Sequence, residues 1–179
     1  MYDNAQLNTF LAAVERKAFR MAAVACSNDD EALDIVQDSM LAFVRKYRTH
    51  PAGEWSPLFY RVLQSRITDW HRRSTVRNRV RSWLGFGNDD NDDSDPLENV
   101  PDRETLHPDR LFEDGQLAAA LEKALRTLPL RQQQAFLMRA WEGLDTRETA
   151  VAMGCSEGSV KTHYFRALQA LRGHLEEYR

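Results

Sequence analysis

From Gln6 to about Trp83, apolar side chains recur three and four positions apart, the spacing that builds one face of a helix, and strand-type alternation is absent. Glycine interrupts that stretch only at Gly53 and proline only at Pro51 and Pro57, so the pattern predicts helices with a loop from Thr49 to Ser56. Between Gly85 and Pro108 the chain turns to Asp, Asn, Gly and Pro. So few apolar residues cannot offset the entropy of ordering, which predicts a flexible linker. Helical periodicity returns from Leu111 to Tyr178, punctuated at Pro129, Gly143 and Gly154, and predicts four helices. No repeat of fixed period is present, which argues against a solenoid. The expected fold is all-α: two small helical domains, residues 1–84 and 111–179, joined by a linker over 85–110.

Helix starts can be placed by their capping chemistry. Asp145 with Glu148 three residues later makes a capping-box pattern, Ser156 opens a helix after Gly154, and Ser56-Pro57 reads as an N-cap and first helical position. Thr146 to Met153, a tight turn at Gly154-Cys155 and a helix from Ser156 to about Glu176 have helix-turn-helix spacing. At about 100° per residue, Val160, Tyr164, Ala167, Leu168, Leu171 and Leu175 share one side of that last helix. Ser159, Thr162, His163, Arg166 and Gln169 face away, a set that can donate to and accept from a DNA groove. Arg166 suits bidentate contact with guanine, Lys161 suits a phosphate, and the N–H groups from Ser156 to Ser159 suit another. By itself the same pattern also fits a solvated face of one more bundle helix.

In the first half, the phase of the helix beginning near Asp30 puts Leu33, Val36, Met40, Val44 and Tyr47 on a core face. It turns Asp34, Ile35, Asp38 and Ala42 outward, with Gln37 and Leu41 at the margin. Outward aliphatics among carboxylates argue for a protein partner with a basic surface. The next helix, Pro57 to about Arg73, turns Arg61, Gln64, Ser65, Thr68, His71 and Arg72 outward and places Arg66 on its buried stripe. A cationic, hydrogen-bonding face of this kind can track phosphates and meet base edges. Trp55 and Tyr60 have the right chemistry to stack on bases and equally the right chemistry for the core.

Charge sharpens this picture. The net charge of −3 conceals a segregation: 13 Lys and Arg against 9 Asp and Glu through Leu84, 2 against 11 from Gly85 to Asp114, and 9 against 7 thereafter. Arg61 to Arg81 alone holds seven arginines against Asp69. A basic helix beside an acidic linker suggests that the linker shields the helix from stray DNA, in which case neutralising Asp89, Asp90, Asp92, Asp93 and Asp95 raises DNA affinity, most steeply at low salt.

Other chemistries are excluded by counting. No register of the Asp89 to Asp95 run puts Gly sixth and Glu twelfth, so an EF-hand is ruled out. Cys26 and Cys155 are too few for a disulfide framework or zinc site, and the five histidines form no ligand-spaced pair. HExxH, Walker, GxSxG and GxGxxG motifs are missing, so neither enzymatic activity nor a metal or cofactor is expected. Apolar runs far shorter than the ~20 residues of a membrane span, and an N-terminus without basic leader or apolar signal core, predict a cytoplasmic protein without membrane insertion.

The residues themselves carry a resemblance. Leu128-Pro129, Arg131, Phe136, Glu142-Gly143-Leu144, Glu148-Thr149-Ala150, Gly154-Cys155-Ser156, Gly158 to Thr162 and Phe165-Arg166-Ala167 resemble region 4 of extracytoplasmic-function sigma factors, over roughly residues 117–175. Asp30 to Phe43 is similar to region 2.2 of the same sigma-70 family. Trp55, Leu58, Arg61-Val62, Ile67, Asp69-Trp70 and Arg72-Arg73 are similar to regions 2.3 and 2.4.

The resemblance implies a sigma region 2-like bundle and a sigma region 4-like helix-turn-helix, and hence a factor that directs RNA polymerase to promoters. It implies polymerase contacts at Asp34, Gln37 and Asp38. It implies start-proximal promoter contacts at Trp55, Arg61, Gln64, Ser65, Thr68, Arg72 and Arg73, and contacts to the element near minus-35 at Ser156, Ser159, Lys161, Thr162, His163, Phe165 and Arg166. The implied partners are core RNA polymerase, promoter DNA and a cognate anti-sigma factor. Three positions depart from the family pattern: Ser65 where asparagine is common, Arg66 where an apolar residue is usual, and His163 where arginine is frequent. A histidine with a reference pKa of ~6.5 is only partly charged, so contact there is expected to be weaker and pH-sensitive. The competing expectation is a helix-turn-helix regulator that acts without replacing the housekeeping sigma factor. It calls for an α/β receiver or a ligand pocket upstream, which the helical pattern does not supply.

Overall fold

A computed structural model of the chain describes residues 4–84 and 115–176, and the linker expected over 85–110, with its shielding role, lies outside these residues. The described residues fold into α1 (Asn4–Cys26), α2 (Asp29–Tyr47), a 3₁₀ turn (Ala52–Glu54), α3 (Trp55–Trp83), α4 (Gly115–Thr127), α5 (Leu130–Phe136), α6 (Thr146–Met153) and α7 (Glu157–Leu175). The fold is all-helical, with the four expected helices in the second half. Among the described residues, no helix is long and apolar enough to cross a membrane.

α2 begins where Asn28 caps it, its side-chain oxygen accepting the Glu31 N–H at 3.0 Å. Asp29, Asp30 and Glu31 fill the first turn and Arg45 and Lys46 the last, each sign at the end of the helix dipole that favours it. The buried arc of α2 is Ala32, Ile35, Val36, Ser39 and Phe43, which corrects the expected phase: Ile35, expected outward, is 7% exposed, and Leu33, expected in the core, is 45% exposed. The physical reason is that small side chains set the arc. Ala32 and Ser39 are wholly buried and let α2 approach its neighbours, and the Ser39 hydroxyl is satisfied within the helix by donating to the Ile35 carbonyl at 2.6 Å. A pattern weighted by large apolar residues misses both.

α3 starts two residues earlier than the Ser56-Pro57 signal implies, at Trp55, without a side-chain cap. Pro57 still falls in the first turn, where its missing N–H costs nothing. An aromatic cluster seals this half: Phe10 sits 5.5 Å from both Phe43 and Trp55 and 6.0 Å from Phe59.

In the second half, α5 passes into a π-helical segment over Leu137–Trp141, whose extra residue per turn shows in the Glu142 N–H donating to the Leu137 carbonyl at 3.0 Å. Gly143 at φ 77° then reverses the chain toward α6. The Asp145–Glu148 capping box forms as expected, with reciprocal bonds of 2.7 and 2.9 Å. Gly154, at φ 63°, ends α6 in the left-handed conformation that glycine adopts without a Cβ penalty. Ser156 caps α7 by accepting the Ser159 N–H at 3.1 Å.

The two halves share one core rather than standing apart. Side chains of α1, α2 and α3 belong to the same buried cluster as Leu121, Phe136, Met138, Ala152 and Leu171, and α6 lies against α3. Lys17 on α1 pairs with Glu142 at 3.2 Å, and Arg20 approaches Glu122 at 3.8 Å.

Candidate nucleic-acid interfaces

The C-terminal reading face is built as its sequence phase requires. Val160, Ala167, Leu168 and Leu171 are buried, and Tyr164 and Leu175 are partly buried against the core. Opposite them, Ser156 and Lys161 are exposed, and Ser159, Thr162, His163, Phe165 and Arg166 are half-buried. Two arginines brace the motif from behind: Arg131 donates to the Met153 carbonyl at 2.8 Å, satisfying the C-terminal end of α6, and Arg139 donates to the Leu144 carbonyl at 2.7 Å. The Arg139 guanidinium also lies 5.6 Å from the Tyr164 ring centroid, a cation–π contact that fixes α7 on the π segment. Burial raises the Tyr164 phenol pKa above its ordinary value, and the nearby Arg139 charge opposes that rise.

The N-terminal face is different. Arg61, Ser65, Arg72 and Arg73 are exposed on α3, but Gln64 is buried and Thr68 half-buried. Gln64, expected outward, points its amide at Met21 Sδ (3.9 Å) and Met138 Sδ (4.0 Å), and the Thr68 hydroxyl accepts from Gln134 at 3.2 Å while donating to the Gln64 carbonyl at 2.8 Å. The Gln64–Thr68 part of the face that helix phase alone turns to solvent is therefore covered by α5 and the π segment, while Arg61, Ser65 and Arg72 stay open. Arg66 corrects its expectation in the opposite sense: expected on the buried stripe, it is exposed. Both errors have one cause, since the covering elements come from the other half and rotate the buried arc of α3 toward Gln64.

Trp55 and Tyr60 resolve toward the core. Trp55 is buried against Phe10, and its indole N–H donates to the His50 carbonyl at 2.9 Å, so in this arrangement it offers no face for a base. Tyr60 is fully buried beside Glu142. Burial, and then the neighbouring Glu142 carboxylate, hold its phenol protonated far above the ordinary tyrosine range.

Asp34, Gln37 and Asp38 are all exposed on α2. Asp34 and Asp38 form one wall of a groove whose other wall is Arg72, Arg73 and Arg77 of α3, over a floor that includes Ile35, Trp70 and Val76. The Trp70 indole N–H donates to Glu31 at the groove's end and ties α3 to the start of α2. The structure thus brings the α2 carboxylates and the α3 arginines face to face, a juxtaposition that helix phase alone could not reveal. Among the described residues, no group of three His, Cys, Asp or Glu side chains is placed to hold a metal. Cys26, buried beside Glu31, has its thiol pushed up to about 12, chiefly by burial.

Comparison with known proteins agrees with this architecture. Residues 118–171 match the family model for sigma-70, region 4. The chain is 32% identical over 151 residues to the RNA polymerase sigma-E factor of Streptomyces antibioticus, covering 82% of this chain and 71% of that protein. It is 25% identical over 162 residues to the ECF RNA polymerase sigma factor SigE of Mycolicibacterium smegmatis; there the match covers 90% of this chain but 58% of the relative's length. In overall fold it resembles the sigma factor RpoE solved in complex with the anti-sigma factor NepR from Bartonella quintana, with a TM-score of 0.63 and 22% identity over 96% of this chain and 98% of that one. Since the helix-turn-helix lies within the region 4 match and the Streptomyces relationship runs through both helical halves, the chain belongs to the extracytoplasmic-function sigma factors of the sigma-70 family.

Proposed function

We propose that this protein binds core RNA polymerase in the cytoplasm and directs it to promoters, with residues 1–84 engaging polymerase and start-proximal DNA and residues 111–179 engaging the element near minus-35. The observation that carries this reading is the α7 face: a capped, braced recognition helix with its apolar side buried and Lys161, Thr162 and Arg166 on the other. Arg166 serves direct base readout, while Lys161 and the N–H groups after Ser156 serve phosphates. Ser159, His163 and Phe165 complete that surface. Asp34, Gln37 and Asp38 serve as the polymerase contact, supported by their exposure on one side of α2.

Arg61, Ser65, Arg72 and Arg73 serve the start-proximal DNA from exposed positions. Gln64 and Thr68 join them only once α5 and the π segment have moved off α3, and Trp55 only once it has left its packing against Phe10. No covalent step is asked of any residue. A cognate anti-sigma factor is part of the proposal, supported by the Bartonella quintana sigma factor having been solved with one bound.

Run-off transcription with core polymerase and fragmented host DNA, with and without the protein, tests the reading. New transcripts sharing an upstream element, and lost on Asp38→Arg, are expected. DNA binding without protein-dependent transcripts would replace it with a regulator that leaves the housekeeping sigma factor in place.

A further inference from the structure

α3 is 29 residues long, but its last buried residue is Ile67, and every residue from Val76 to Leu84 is exposed. At ~1.5 Å per residue the exposed end is an arm of about 13 Å. Four large apolar side chains are exposed along it: Leu84 (61% exposed) lies at its tip, and three others fall on one line, Val76 (59%), Val80 (52%) and Trp83 (87%). Their spacing of four and then three is that of alternating d and a positions in a coiled-coil heptad. In the same register Arg72 and Arg79 take the g positions and Arg77 an e position, so the stripe is bordered by cations on both sides, and no carboxylate occurs from His71 to Leu84.

Each feature narrows the occupant. Exposed apolar side chains on so regular a line have no use against a phosphate backbone, which asks for donors and cations. A second copy of the arm packed in parallel would set Arg72 of one copy against Arg77 of the other. A membrane-surface helix keeps a wide apolar face with its charges on the opposite side, whereas here the stripe is narrow and Arg72, Arg77 and Arg79 border it directly, with Asn78 and Arg81 on the far side. We infer that the exposed end of α3 is a docking surface for an acidic amphipathic helix of a partner protein. Its apolar edge packs on Val76, Val80 and Trp83, and its Glu or Asp flanks meet Arg77 and Arg79. Asp34 and Asp38 wall the inner end of the adjoining groove and repel a further carboxylate, so the partner's acidic flanks lie outward of α2.

The test uses the full chain and two synthetic 21-residue helices with leucine at a and d, one carrying glutamate and the other lysine at e and g. Fluorescence anisotropy is expected to show the glutamate helix binding at least tenfold more tightly than the lysine helix. Val80→Glu should cost tenfold or more, and Arg77→Glu with Arg79→Glu should transfer the preference to the lysine helix. Both variants lie on exposed positions, and an unchanged far-UV circular dichroism spectrum checks that they fold. Equal binding of the two helices, no binding of either, or a glutamate-helix affinity indifferent to Val80→Glu would overturn the inference. So would a Val80→Glu loss seen only with phosphatidylglycerol vesicles or with a random duplex.

Discussion

The two candidate DNA faces of this protein are made from similar materials and are presented in opposite ways. On α7 the residues that helix phase turns outward remain at the surface, while on α3 part of the equivalent stripe, Gln64 and Thr68, is roofed by Gln134 and Met138 from the other half. The difference lies in what each helix must cover. α7 buries its apolar side within its own half and needs nothing further, whereas α3 is packed on two sides, by α1 and α2 and by the C-terminal half. A face is open only when no neighbour gains by burying it.

The sharpest way to break the comparison is Met138→Asp. A carboxylate at this wholly buried site beside Gln64 has no cation to pair with, a burden of several kcal/mol that separation of the halves relieves. Small-angle scattering should show a larger radius of gyration, and amide exchange should rise across α3 residues 60–68 while α7 keeps its protection. Loss of helicity in place of this would mean that the joint is needed for folding.

Arg166→Ala should weaken binding of the upstream element by ~1–3 kcal/mol and relax base preference there. Gln64→Ala, in the free protein, should leave DNA affinity unchanged by the same titration, because its side chain is covered. Asp145→Ala removes the capping box and should lower stability by ~1 kcal/mol in denaturant titration, acting on the open half alone.

Lys17→Ala should cost less, under ~1 kcal/mol, because its side chain is 44% exposed in the pair with Glu142. Alkaline pH gives a finer handle. The Cys26 thiol ionises at 9.0 in its reference state and at about 12 when folded. The folded state therefore holds its proton more tightly, and the stability this provides is complete below pH 9 and is lost as pH rises toward 12. Cys26→Ala should flatten that part of the stability–pH curve.

Which of these features are legible in the sequence depends on how locally each is determined. The capping box at Asp145, the turn at Gly154, the Ser156 cap and the inward line from Val160 to Leu175 need only neighbours within a few positions, and each is found where the sequence predicts it. The all-helical class and the helix-turn-helix are of the same kind. The phase of α2 departs from the pattern of its large apolar residues because Ala32 and Ser39, which carry little hydrophobic signal, set how closely it packs.

The outward face of α3, the burial of Trp55 and Tyr60, and the groove that sets Asp34 and Asp38 against Arg72, Arg73 and Arg77 depend on elements distant in sequence. So does the role of the π segment, since no local pattern announces the extra residue that accompanies Met138 and Glu142 into the joint. Sequence by itself determined the all-helical class, the caps of α6 and α7 and the reading face of α7, because hydrogen bonds and periodicity within one helix decide those. Only the tertiary structure decided which faces are open, because burial is a property of pairs of surfaces, and the partner of α3 is a segment some 70 residues away.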